Sequence, residues 1–341
     1  VPPPSVPTSP GPTPRVSAPG ATVPVLDGAT WRARAAAHRE RVAAWTGPHR
    51  ERRRRGEPHP VWDFLFTYYS HRPAQLERWD PGPGVALADA AELAHRPGHV
   101  TRPDGTVLFD PAAAPQRLRT TAAFVHRLLV ATRSRPPRLG CFGLHEWAMV
   151  YRTDDARHRD TVPLRLGRAG TDAVVESARI SCTHYDAYRF FTDAAAPRNE
   201  LVPTRERQVE MEQPGCLHAT MDLYKWAYKL APAVPSELVA DCFALAADVR
   251  ELDMRASPYD LSGHGFDPVR IETPAGRAEY ARAQAGFSER AAPLRDALAD
   301  LAGRLAGTPD HPAGHPAEGP LGGPHTDDGA AGTVPGGPAT A

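Results

Sequence analysis

The sequence predicts a mainly α protein of the α+β kind: a single helical domain over residues 25–306 carrying a small β-hairpin or sheet insertion, between disordered tails at 1–24 and 307–341. Three observations carry that expectation. Apolar residues recur every three or four positions through several long runs, the spacing of one helix face. One segment, 163–182, is patterned like strand instead. The two ends, rich in Pro and in Gly, Pro and Ala, show neither period, so they cannot bury enough apolar surface to offset the entropy of ordering. The roughly 280 residues between them are ample for one core.

Taken in order, residues 31–45 are Ala- and Arg-rich helix formers, with Gly47-Pro48 as the stop. The basic cluster Arg50, Arg52, Arg53, Arg54 and Arg55 then reads as a solvated loop. Pro58-His59-Pro60 forces an extended entry into 61–69, where Trp62, Phe64, Leu65, Phe66, Tyr68 and Tyr69 suggest a buried helix, a short strand being the alternative. Residues 80–115 read as an irregular excursion with a tight turn at Pro103-Asp104-Gly105-Thr106. Leu118, Ala122, Val125 and Leu129 make a helix stripe, widened by Phe124 and Leu128 and closed by Pro136-Pro137. Leu144, Trp147, Ala148 and Tyr151 share a helical face, with His145 and Glu146 on its flanks.

Leu164 and Leu166, then Val174, Val175, Ala178 and Ile180, with Gly167 and Gly170 in the turn, read as a hairpin that delivers the chain to His184. If 181–186 stays extended, His184 and Asp186 point to one side. Residues 201–214 are acidic and irregular, with Glu206, Glu210 and Glu212. A helix follows over 217–230, with Leu217, Met221, Tyr224 and Tyr228 on one face and His218, Asp222, Lys225 and Lys229 on the next. Ser236 caps another, seamed by Leu238, Cys242, Leu245, Val249 and Leu252. Thr273-Pro274 opens the last helices, whose stripe Leu294, Leu298, Leu301 and Leu305 suits internal packing or a homodimer contact.

Forty Lys plus Arg balance forty Asp plus Glu, so no overall field draws the chain onto nucleic acid or anionic lipid. The absence of a signal-like segment or a span of ~20 apolar residues points to a cytoplasmic protein without a membrane partner. Cys141, Cys182, Cys216 and Cys242 form no Cys-x-x-Cys pair, which argues against a zinc knuckle or disulfide scaffold. Phosphate-loop, dinucleotide, nucleophile-elbow and zincin signatures are missing.

Chemistry concentrates in 141–151, 181–191 and 216–226, where histidines, carboxylates and rings crowd together. One mechanism is N-glycosidic cleavage through a cationic sugar: Glu146, Asp186 and Asp222 are the candidate acids or bases, with His145 and His184 beside them. Tyr68, Tyr69, Trp147, Tyr185, Tyr188, Tyr224 and Trp226 would wall a base pocket, and His71, Arg72 and Lys225 would steady an anionic group. The other mechanism joins His145, His184 and His218 with Glu146, Asp186 or Asp222 around a divalent metal, iron, zinc or manganese, to act on a small metabolite. A third reading is a non-catalytic small-molecule binding protein using the same pocket.

His59-Pro60 followed by 63–73 (Asp-Phe-Leu-Phe-Thr-Tyr-Tyr-Ser-His-Arg-Pro), then 143–151 (Gly-Leu-His-Glu-Trp-Ala-Met-Val-Tyr), 182–191 (Cys-Thr-His-Tyr-Asp-Ala-Tyr-Arg-Phe-Phe) and 221–229 (Met-Asp-Leu-Tyr-Lys-Trp-Ala-Tyr-Lys), resemble a bacterial family commonly labelled 3-methyladenine DNA glycosylase, over about residues 31–305. The resemblance implies a DNA-repair hydrolase that removes alkylated purines from DNA. On that reading no cofactor is needed, Glu146 or Asp186 activates water or stabilises the sugar cation, and Arg72 or Lys225 holds a phosphate or the leaving group.

Overall fold

Asp27 accepts the Thr30 N–H through its carboxylate and so caps the first helix, α1 (Gly28–Arg55). The computed structural model describes residues 23–153 and 162–307; of the tails expected at 1–24 and 307–341, all but 23–24 and Gly307, the last residue of a helix, lie outside the described residues. The expected stop at Gly47-Pro48 does not occur, because Trp31, His38, Val42, Thr46 and His49 are buried along the whole helix and outweigh the cost of Pro48. Gly56, left-handed at φ 70°, ends it instead. The basic cluster is therefore the last turns of a helix: Arg50 grips Glu77 through two bonds of 2.6 and 2.7 Å, Arg52 pairs with Asp63, and Arg54 and Arg55 pair with Glu51.

Only part of 61–69 is helical. α2 spans Phe64–Thr67, and α3, Pro73–Leu76, follows. The sheet has three of its four strands where an irregular excursion was expected. Its strands β1 (Val25–Leu26), β2 (Ala86–Leu87), β3 (His99–Thr101) and β4 (Val107–Phe109) run in the order β1-β2-β4-β3. β1 is parallel to β2 and the other pairings are antiparallel, with Val100 opposite Leu108. The turn expected at 103–106 joins β3 to β4, and Asp104 accepts both the N–H and the hydroxyl of Thr106. A small second core of Trp31, Trp79, Val85, Leu87, Leu93 and Val107 packs beside this sheet.

The hairpin expected over 163–182 is corrected to a helix, α6 (Gly167–Ser177), numbered after α4 (Gln116–Arg133) and α5 (Leu144–Ala148). Its buried residues Thr171, Val174 and Val175 stand at helical spacing, so the two valines mark one helix face. Isolated bridges from Leu164 to Tyr259 and from Ile180 to Asn199 are the strand-like pairing there. Residues 185–188 form α7 (Tyr185–Tyr188), so His184 and Asp186 do not share a strand face.

α8 (Gln208–Met211), α9 (Leu217–Lys229), α10 (Ser236–Arg255) and α11 (Pro274–Gly307) complete the helices. Ser236 starts α10 but does not cap it: its hydroxyl accepts the Asp80 N–H at 2.9 Å and donates to Arg78 O, pinning a loop. Thr273 does cap α11, accepting the Gly276 N–H at 3.1 Å. α11 lies along α4 and α9, with Leu298 and Leu305 buried and Leu294 and Leu301 packed against the core; the leucine stripe is thus used within the chain. Each fully buried side chain of this size stabilises by ~1.5–3 kcal/mol. Among the described residues no helix is long and apolar enough to cross a membrane.

Candidate metal centre

The interior where α5, α9 and α10 meet should be apolar, yet it is charged. α9 presents His218 and Asp222 one turn apart, and α10 presents Arg250 and Asp253 one turn apart. α5 adds His145 and Glu146, His184 immediately precedes α7, and Glu212 immediately follows α8. These side chains form two adjoining triads, His145–His218–Asp253 and His184–Glu212–Asp222. In each, one nitrogen or oxygen per residue lies within 4.8 Å of the other two. His218 joins them, its ring centred 4.3 Å from that of His145 and 5.3 Å from that of His184.

Within the triads the polar atoms are close but not hydrogen-bonded. His145 Nε2 and Asp253 Oδ1 are 2.9 Å apart, and His184 Nε2 is 3.4 Å from both Glu212 Oε1 and Asp222 Oδ2, but no bond of acceptable angle forms. Neighbouring ligand atoms around a cation with bonds of ~2.1 Å stand about 3.0–3.4 Å apart in octahedral or tetrahedral geometry, with lone pairs aimed at the ion rather than at each other.

Outer partners fix the carboxylates. Arg250 Nη1 donates to Glu146 Oε1 at 2.9 Å and to Asp253 Oδ2 at 3.1 Å. Lys225 Nζ donates to Asp186 at 2.7 Å and Asp222 at 3.0 Å. The Tyr69 hydroxyl donates to the second Asp222 oxygen at 3.0 Å, and Gln208 Nε2 donates to Glu212 at 2.6 Å. Such supports orient metal ligands.

Five carboxylates (Glu146, Asp186, Glu212, Asp222 and Asp253) thus face three permanent cations, Arg250, Lys225 and, on Asp186 alone, Arg189. An excess of two negative charges in a buried site must be balanced by protons or metal cations. The site's basicity shows the same demand. Burial opposes charging of His145 and His184, but Asp253 in one case and Asp222 with Glu212 in the other hold both above the ordinary histidine value. Burial pushes Glu212 up, favouring its protonated form. Asp222 and Asp253 are held well below the carboxylate range despite burial, by Lys225 and by His145 respectively. Burial and the neighbouring His145 push His218 well down, leaving a neutral imidazole with a free lone pair.

A cavity of about 20 Å³ touches His145 and His218 and is walled by Cys141, Cys182 and Cys216. It has room for one water-sized group. Burial pushes the three thiols up, Cys182 to about 12, so they line the cavity as neutral groups.

The structure thus gathers His145, His184, His218 and Asp222 into one cluster, with Glu146, Asp186, Lys225 and Tyr69 as its charged or hydrogen-bonding surround. The expected aromatic walls are mostly core. Trp147 is fully buried and donates its indole N–H to Ala256 O, Tyr224 is buried, and Trp226 packs edge-on to Phe124. Tyr68 stacks on Phe64; Tyr185 lies under Arg205, and Tyr188 packs on Phe191, both half-buried on α7. Arg72 is exposed at the start of α3.

His71 is buried, stacked on Tyr228 and bonded through Nδ1 to the Tyr224 hydroxyl at 2.9 Å. Burial, aided by Arg78, lowers it from 6.5 to about 4. The unfolded chain therefore takes up this proton first. Its contribution to stability is complete above pH ~6.5 and is lost as pH falls through the folded value, a difference of about 3 kcal/mol. Denaturant unfolding from pH 7 to pH 4 should show that loss, and His71→Phe should flatten it; an unchanged slope in the variant would contradict the assignment.

Asp253, Glu212 and Arg250 were not singled out by sequence reasoning as site residues. Asp253 carried a readable signal: it stands four residues after Val249, on the apolar seam of α10, where a carboxylate has no reason to be unless it is partnered. Glu212 is one of three acids in a polar stretch and carried none. No protein-family model, curated protein or solved structure matches this chain.

Proposed function

We propose that the chain is a metal-dependent enzyme that binds divalent cations at the two adjoining triads, His145–His218–Asp253 and His184–Glu212–Asp222, and acts on a small substrate reaching the cavity beside His145 and His218. The observation that carries this reading is the buried excess of negative charge, interleaved with His145 and His184, whose Nε2 atoms meet carboxylate oxygens at 2.9–3.4 Å without hydrogen-bond geometry. Imidazole and carboxylate together suit zinc, manganese or iron. Cations so placed would polarise a substrate oxygen or lower the pKa of a bound water. The chain's own groups set the stage: Lys225 keeps Asp222 ionised, Arg250 holds Asp253 by a hydrogen bond, Tyr69 and Gln208 fix carboxylate orientation, and neutral His218 faces the cavity. Binding must expel protons from His145, His184 and Glu212.

Metal analysis of protein purified without chelator, and again after stripping and reloading with zinc, manganese or ferrous iron, tests this. About two ions per chain are expected, with proton release on loading; no uptake of any of the three ions at micromolar concentration would overturn it.

A second reading, the alkylpurine glycosylase implied by the sequence resemblance, is favoured by one feature. Asp186 is the most solvent-accessible acid of the site, lies between the half-buried Tyr185 and Tyr188, and is kept ionised against burial by Lys225. An ionised carboxylate there could stabilise a sugar cation. Release of 3-methyladenine from methylated DNA, lost in Asp186→Asn, would support that reading; no release by either metal-loaded or metal-free protein would remove it.

A further inference from the structure

We propose that the substrate is a small organic oxyanion with an apolar body, seated in the groove that opens beside the candidate metal centre, its anionic end held by Arg138 and Arg277. The position of the chemistry rests on the metalloenzyme reading above; the binding of the anion does not.

The groove has a volume of about 560 Å³, within the usual range for small-molecule sites. Phe142, Leu144, Val174 and Ile271 give it an apolar floor. Its charges do not cancel. Arg179 pairs with Glu200, and Glu272 is occupied by Arg165 through two bonds of 2.7 and 2.6 Å. Arg138 and Arg277 line the same groove, are exposed, and have no carboxylate partner among the described residues. Arg277 donates one Nη1 bond to Ile271 O at 3.1 Å, which orients its guanidinium and leaves its other donors free. Two guanidinium forks above an apolar floor match a planar carboxylate or a phosphate better than any neutral or cationic group.

The groove leads to the chemistry. Arg138 and Ser181 line both it and the small cavity that touches His145 and His218. The backbone of Arg138 is fixed at that junction: its N–H donates to Gln213 Oε1 at 2.8 Å, and its carbonyl accepts from Gln213 Nε2 at 3.4 Å. Gly215 permits this close approach, since a Cβ there would stand 2.6 Å from Arg138 O. Gln213 adjoins the triad residue Glu212, so the anchor of Arg138 and the metal cluster share one short segment. Little ordering is then left for the moment of binding.

The test is calorimetric titration of the full chain, metal-loaded and chelator-stripped, with phenyl phosphate, phenylacetate, benzyl alcohol and benzylamine. Binding of at least one anion is expected, weakened about tenfold or more in Arg138→Gln/Arg277→Gln, with the alcohol and amine at least tenfold weaker. The tighter anion assigns the headgroup as phosphate or carboxylate. Binding of neither anion, equal binding of the alcohol, or an undiminished affinity in a folded double variant overturns the proposal. Should that variant fail to fold, the wild-type salt dependence decides: an affinity independent of 50–500 mM NaCl overturns it. A chain that holds no metal but binds the anion sinks the metalloenzyme reading alone; one that holds metal but binds no anion sinks only the groove.

Discussion

Asp253→Asn is expected to remove metal binding at the first triad and to destabilise the fold by about 3–5 kcal/mol, the usual cost of breaking a buried ion pair from one side. Asp253 is fully buried, 2.9 Å from His145 and 3.1 Å from Arg250. Asparagine has nearly the same shape, so no cavity forms and the loss is electrostatic. Without the carboxylate, Arg250 retains only Glu146, and His145 loses the charge that raises its basicity. Removing an outer partner of a metal ligand costs ~10–100-fold in affinity, and removing a ligand should cost at least the upper end of that range. Urea unfolding with and without EDTA measures both effects. The wild type should lose stability on chelation and the variant should lose less, because only its second triad still binds an ion. A variant within 0.5 kcal/mol of wild type, and as sensitive to chelator as the wild type, would show that Asp253 neither holds the network together nor ligates.

Much of the fold was legible because its long helices obey one period. The apolar residues of α4, α9 and α10 recur at helical spacing, so the period alone marks these stretches as helices. The failures share a cause, which is that local signals were outvoted by contacts far away in sequence. Pro48 reads as a helix stop, but burial of Thr46 and His49 and the ion pairs of Arg50 and Arg52 hold α1 through it. Val174 and Val175 read as strand because β-branched pairs favour strands, yet with Thr171 they make a helix face. The true strands are two or three residues long, too short for a period of two to register.

The site was half legible for a similar reason. His145, His184 and His218 stood out by composition, and the topology does bring them together. Their partners came from elsewhere: Asp253 from the helix whose Arg250 lies 104 residues beyond Glu146 in sequence, and Glu212 from an acidic stretch with no distinguishing pattern. Pairing a histidine with the nearest carboxylate in sequence therefore misleads here. His145 meets Asp253 rather than Glu146, and His184 meets Glu212 and Asp222 while Asp186 turns to Lys225.

Lys225→Met should be among the most damaging single changes outside the triads, again by about 3–5 kcal/mol, because it leaves the buried Asp222 without its permanent cation and Asp186 with only Arg189. The ammonium sits 2.7 Å from Asp186 and 3.0 Å from Asp222 with little solvent to screen it. Burial alone would lower the lysine, but the two acids hold it well above its ordinary value, while it holds both of them below theirs. For acids with depressed folded values, the stabilisation is present above the unfolded value near 3.8 and is lost as pH falls through the folded one. Removing Lys225 raises the folded values, so the acid unfolding limb should move to higher pH. Metal reverses the argument in a useful way: with the ammonium gone, a cation at His184–Glu212–Asp222 becomes the nearest source of positive charge for Asp222. Loading with zinc should therefore raise the unfolding midpoint of Lys225→Met by more than it raises the wild type's. An equal or smaller rise in the variant would mean that Asp222 does not face a bound metal, and the second triad would lose its case.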